Sequence, residues 1–287
     1  GGDVVGAYAC ALAAGRPAVV GGLTWERSVV DPLPGPRRLD EIDGAQILSE
    51  AVAIAGPGTT GPGGFRFAES RTAEALGEPV VLVDPHPAPA VTGACLGAAA
   101  AELGCDHVVL LDVGGDVLAH GDEPGLGSPL ADALLLAAAA AIDLPVTLAV
   151  WGSGCDGELT PAEVSERIAE VWASGGARGV LGLGPQEAAR VAALADAVPT
   201  EASAMAVRSA QGETGRVPIR QGRRHVELTP LAGLVFLLDP QAALASAARL
   251  AHAVREAPGL HEADALLRAM GVGTELEWEQ RKAAAQA

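Results

Sequence analysis

A chain of 287 residues that is 49% hydrophobic and 19% charged can bury a sizeable core and is too apolar to be disordered. Its formal net charge of -17 argues against a nucleic-acid or anionic-membrane partner, because phosphate recognition needs clustered Lys and Arg. Only Arg37-Arg38 and the run from Arg216 to Arg224 offer a local basic patch.

Aromatics make up 3%, so the core must be Ala, Val and Leu, which suits helices packed on a parallel sheet. None of the four cysteines, Cys10, Cys95, Cys105 and Cys155, sits in a C-x-x-C pair. That gives no zinc or redox motif and points to free thiols in a reducing cytoplasm. No signal peptide is evident, and Gly and charge break the Ala-rich runs before they could span a bilayer.

In chain order, Gly1-Gly2-Asp3 opens a helix from Val4 to Ala14 that Gly15 stops. Such a glycine turn normally follows a strand, so the first residues read as truncated. Pro17 to Gly21 reads as a buried strand. The Pro- and Arg-rich segment after Trp25 forbids regular structure, and Trp25 favours an ordered loop. Ile47 to Ala55 fits a strand or a short helix equally. Gly56 to Gly64 has the composition of a flexible linker or lid. Helix Arg71 to Leu76, strand Pro79 to Asp84 and helix Ala88 to Leu103 follow.

Strand His107 to Asp112 then leads into the most polar loop of the chain, and Ser128 before Pro129 is suited to cap a helix from Leu130 to Ala141. Strand Pro145 to Trp151 precedes a helix from Pro161 to Ser174, with Thr160 and Glu163 as a capping box. A strand from Gly179 to Leu183 and helices Pro185 to Ala195 and Thr200 to Ala210 come next. Short strands at Arg216 to Ile219, Arg224 to Leu228 and Gly233 to Leu238 suggest a hairpin or meander. Helices Gln241 to Ala253, His261 to Met270 and Glu275 to Ala285 end the chain.

The alternation predicts an α/β fold with a doubly wound, mostly parallel, Rossmann-like sheet. It predicts one domain over 1–287, with a core at 1–198 and a less regular C-terminal appendage of β-hairpin and helices at 199–287. The small-residue helices suit either a homo-oligomer interface or packing within the chain.

Ligands of such folds lie beyond the carboxyl ends of the strands. The loop after Leu110 to Asp112 carries Asp116, His120, Asp122, Glu123 and Ser128, with Asp132 one helical turn further on. Asp112, Asp116 and Asp122 form a hard-oxygen set for Mg²⁺ or Mn²⁺. One of these carboxylates could instead be a general base, and the same spacing also describes solvated loop acids. His120, or His86 held between Pro85 and Pro87, could move a proton. Gly1, Gly2 and Asp3 form a partial anion-binding turn, or a plain turn. Trp25 and Arg27 could cover a planar substrate, and Asp156 stands at the end of the next strand. Arg216, Arg220, Arg223 and Arg224 suit a carboxylate or phosphate clamp, or a solvated hairpin.

Four motifs taken together resemble one family: GGDVVGA, GGLTWER-x-x-x-DPLPGPR, DVGGD-x-L-x-x-G-x-E-x-x-L-x-SPLADA and VPIRQGRR-x-V-x-LTPLA. They are similar to the family catalogued as domain of unknown function 1152, from archaea and actinobacteria. The resemblance covers nearly the whole chain. It implies a soluble α/β protein whose members usually begin with a strand and a longer glycine run. It assigns no catalytic residue. High Ala and Gly content looks like an actinobacterial source, where such proteins serve specialised metabolism.

The resulting expectation is a cytoplasmic enzyme acting on a small polar substrate that carries a phosphate, nucleotide or carboxylate group. Group transfer or lyase-type chemistry is expected. The alternative is a non-catalytic ligand-binding or enzyme-partner protein. Convergence of the acids in a pocket favours the first, and their divergence into solvent the second.

Overall fold

The computed structural model describes residues 2–285. In chain order these form α1 (Val4–Ala14), β1 (Gly21–Leu23), β2 (Gln46–Ile47), β3 (Val52–Ala55), α2 (Ala68–Leu76), β4 (Val80–Val83), α3 (Pro89–Glu102) and β5 (Val108–Val113). Then come α4 (Leu130–Ala138), β6 (Val146–Trp151), α5 (Pro161–Ala173), β7 (Ala177–Gly182), α6 (Pro185–Ala197), α7 (Ala202–Ala210), β8 (Gly215–Ile219) and β9 (Arg224–Leu228). The chain closes with β10 (Leu234–Leu238), α8 (Pro240–Ala245), α9 (Arg249–Val254), α10 (Leu260–Ala269) and α11 (Glu275–Ala284).

The fold is mixed α/β. In place of one mostly parallel sheet, the strands form two four-stranded sheets, β1-β4-β3-β2 and β5-β6-β10-β7, and the hairpin β8-β9. Among the described residues, only β1 with β4 and β5 with β6 pair in parallel. Short, apolar β10 comes from the stretch expected to be an appendage. It lies antiparallel between β6 and β7, so the 199–287 region supplies an internal strand. Local alternation cannot reveal this, because strand direction is set by the route of the connection and not by the strand's own residues.

Other segments depart from expectation for local reasons. Ile47 to Ala55 is a tight antiparallel pair, β2 with β3. The Gly56–Gly64 stretch is a packed turn. Buried Thr59 donates its Oγ1 hydrogen to Gly44 O and accepts from Gly56 N, both at 3.0 Å. The helix expected from Gln241 to Ala253 is split into α8 and α9, because Ser246 leaves helical geometry at φ -130° and ψ -88°.

The small residues of α3 are used within the chain. A Cβ on Gly93 would lie 2.1 Å from Ala138 O of α4, so only glycine allows this helix approach. Helix α5 starts as its residues dictate. Thr160 Oγ1 accepts from Glu163 N at 3.2 Å, and Glu163 Oε2 accepts from Thr160 N at 2.7 Å. Thr160→Ala should cost about 1 kcal/mol in urea unfolding. A loss indistinguishable from zero would mean that packing alone holds this helix end.

Among the described residues, no helix is long and apolar enough to cross a membrane. All four cysteines are free.

Candidate functional site

Three chain segments converge beyond the carboxyl ends of β5 and β6. Strand β5 delivers Asp112, whose Oδ2 accepts from Gly115 N at 2.8 Å and Val117 N at 3.3 Å. Those bonds fold the next turn back so that Asp116 is buried beside it. The loop after β6 delivers Asp156, which sits over Gly114. A Cβ there would be 2.4 Å from the Asp156 carboxyl carbon, and Gly114 has φ +139°, so the DVGGD motif needs glycine at this position. The third segment is the first turn of α4, which carries Asp132.

Carboxylate oxygens of Asp112, Asp116 and Asp132 lie within 4.8 Å of one another, and so do those of Asp116, Asp156 and Glu158. Burial, and after it the close packing of like charges, shifts their titration. Burial first, then the Asp3 charge, pushes Asp112 up to about 7. Burial and then Asp132 hold Asp116 well above the carboxylate range, burial and then Asp112 do so for Asp132, and burial and then Glu158 for Asp156. Such a cluster takes up protons or a cation.

Glu158 is held firmly. Its Oε2 accepts from Gly127 N and Ser128 N, each at 2.8 Å, and its Oε1 accepts from the Ser128 hydroxyl. Arg220 Nη2 approaches Glu158 Oε1 at 3.4 Å. By contrast, Asp156 Oδ1 is buried without a hydrogen-bond partner.

Asp132 lines a cleft of about 1930 Å³ between the edge strands β1 and β5, whereas Asp112, Asp116, Asp156 and Glu158 are buried next to it and do not line it. Its lining includes the apolar side chains of Val19, Ala100, Val109 and Leu135. Its rim is polar, with Asp3, Arg27, Ser128, Asp132, Arg220 and Arg224. Arg220 and Gln221 at the β8–β9 tip have positive φ of 52° and 58°, a strained backbone for non-glycine residues.

A family model described as a protein of unknown function, DUF1152, matches residues 1–283. The chain belongs to that family. Neither the curated proteins nor the solved structures contain a match to it.

In this DUF1152 chain the residues singled out in the sequence divide into two groups. Asp112, Asp116, Asp132 and Asp156 come together, with Asp3 and Ser128 at the same rim. Asp122 does not join them: it is exposed and groups with His120 and Glu123, so Asp132 takes the place expected of it. Glu123 ties its own turn, accepting from His120 N and Gly121 N at 2.8 Å. His120 Nε2 lies 2.9 Å from Glu170 and its ring contacts Arg167 on α5, so it is paired outside the cluster. His86 is held by Asp84, Nδ1 to Oδ1 at 2.6 Å, and does not line the cleft.

Trp25 lines the cleft but is mostly buried, and its indole N–H donates to Glu279 at 3.1 Å. Arg27, at the rim, pairs with Glu201 at 3.7 Å. Gly1 lies outside the described residues. Gly2 O accepts from Val5 N at 3.2 Å and Ser203 Oγ at 3.1 Å, and Asp3 puts a carboxylate where a bare anion would sit. Arg37 is buried against Asp31, which removes it from any basic patch. Burial pushes the Cys155 thiol up to about 12, which makes it a poor nucleophile.

Nothing in the sequence singles out Glu275 for this site. Glu275 of α11, not Ser128, satisfies the start of α4, accepting from Leu130 N at 3.0 Å and Ala131 N at 2.7 Å. No local pattern announces a cap supplied from another helix.

Proposed function

We propose that the chain is an enzyme whose Asp112, Asp116 and Asp132 hold a divalent cation, Mg²⁺ or Mn²⁺, and that it acts on a small phosphorylated or carboxylate-bearing metabolite at the rim of the cleft. The observation that carries this reading is the convergence of three carboxylates from separate elements to within 4.8 Å. Acids without a ligand role would diverge into water. A hard dication suits an all-oxygen set of this kind.

The rim chemistry supports an anionic substrate that needs the cation. A bare phosphate would be repelled by Asp3, Asp112 and Asp132. A bound cation would supply the attraction and would polarise the substrate oxygen. The chain's own residues then orient the substrate. Arg220, Arg223 and Arg224 line the cleft next to the cluster and can take further anionic oxygens. Ser128 lines the cleft with its hydroxyl held by Glu158. Group transfer or lyase-type chemistry fits this arrangement, and no dinucleotide fingerprint directs it to hydride transfer.

The test is a thermal-shift experiment with Mg²⁺ or Mn²⁺, alone and with nucleotides, sugar phosphates or amino acids. A ligand at about a hundred times its Kd adds about 2.7 kcal/mol of stability. Wild type should show a metal-dependent rise with a phosphorylated or carboxylate compound. Asp116→Asn should lose that rise while its ligand-free melting temperature stays within a few degrees of wild type. No rise with any cation would move the assignment to a non-catalytic binding or partner protein, which a pull-down would then examine.

A further inference from the structure

The two carboxylate triads share Asp116, and the geometry points to a pair of divalent cations bridged by that residue. This rests on the single-cation reading above and extends it. The first cation takes Asp112, Asp116 and Asp132; the second takes Asp116, Asp156 and Glu158.

The second position has an observation of its own. Asp156 is 7% exposed, its Oδ1 has no hydrogen-bond partner, and its carboxylate is within 4.8 Å of those of Asp116 and Glu158. A buried, unpaired carboxylate oxygen is costly, and a cation would satisfy it. Glu158 has the surroundings of a pre-oriented ligand: two backbone N–H groups and the Ser128 hydroxyl fix its plane. Its Oε1 would exchange the long 3.4 Å contact with Arg220 for a cation, freeing that guanidinium to face the substrate.

Charge balance favours two ions over one. The two triads hold five carboxylates, all of them buried or partly buried. One dication leaves a net charge of three negatives among these groups when all are ionised. Two dications leave one. Paired sites of this type hold their ions roughly 3.5–4 Å apart and clamp a single oxyanion between them. The ligand class is therefore a phosphate or carboxylate group that bridges the two ions, with Arg220 and Arg224 on its outer oxygens.

Mn²⁺ is the probe. The full chain is stripped with a chelator, then titrated by equilibrium dialysis and followed by electron paramagnetic resonance. Wild type should bind two Mn²⁺ per chain and show a spin-coupled spectrum. Asp156→Asn should fall to one Mn²⁺ with an uncoupled six-line spectrum, and Asp132→Asn should likewise keep one. Asp116→Asn should lose coupling and weaken both sites. One uncoupled Mn²⁺ in wild type, unaffected by Asp156→Asn, would overturn the pair and leave the single-cation reading intact. No Mn²⁺ bound would overturn both. Should Asp156→Asn not fold, the wild-type stoichiometry and coupling decide the matter by themselves.

Discussion

Replacing Arg37 with alanine is expected to destabilise the protein by roughly 3–5 kcal/mol, the usual cost of stripping one partner from a buried ion pair. The guanidinium is almost fully enclosed. Its Nε lies 2.8 Å from Asp31 Oδ2, and Nη2 donates to Pro34 O at 2.7 Å, Gly35 O at 2.6 Å and Leu33 O at 3.3 Å. The three prolines of this segment deny it regular hydrogen bonding, so one side chain gathers its carbonyls instead. The same loop is tied to α11, where Glu279 accepts from Trp25 and from Gly35 N. Alanine would leave the Asp31 charge buried at 1% exposure and three carbonyls without their donor. Urea unfolding should report the loss, with a fall in melting temperature of about 10 °C. The double variant Asp31→Asn with Arg37→Met should recover part of it, since no lone charge remains. A loss below about 1 kcal/mol would show that α11 holds the loop without the pair.

Glu69 should make stability fall as pH rises, and Glu69→Gln should remove that part of the fall. This side chain of α2 lies in the core against the Gly22 backbone, and both its oxygens are buried without partners. Burial is the main cause that pushes it from 4.5 to about 8, with repulsion from Glu26 and Asp3 adding to it. A carboxyl raised in the fold binds its proton more tightly there than in the unfolded chain. Its stabilising effect is thus fully present below about 4.5 and is lost as pH climbs through about 8. The interval corresponds to a few kcal/mol, on the order of 5. Metal-free wild type and Glu69→Gln are to be unfolded in urea from pH 5 to pH 9. The variant should gain on wild type up to about pH 8 and level off beyond it. Parallel curves would mean that Glu69 stays ionised in the fold or meets water.

How much of this was legible depends on how far each cause reaches along the chain. Helix α5 could be placed from residues within three positions of Thr160, because a capping box is local. The run Val108 to Val113 announces a buried strand by its own side chains, and a polar loop after such a strand marks the place where α/β proteins bind ligands. The DVGGD and SPLADA motifs likewise carried Asp112, Asp116 and Asp132 in plain view. Asp122 and His120 misled because neighbours in a loop need not face the same way. Glu123 ties off a turn that sends Asp122 to solvent and His120 to α5. Asp132, in the first turn of α4, turns back to the cluster.

The α/β class, most element positions, the acidic loop and the family can all be read from residues alone. Each of these follows from side-chain periodicity, capping or motif over a short window. Only the tertiary structure decided that β10 enters a sheet antiparallel between β6 and β7, that Glu275 caps α4, and that Asp116 stands between two carboxylate groups. The reason is the same in each case. Strand order, distant caps and charge clusters depend on which remote surfaces meet, and packing settles that only when the whole chain is folded.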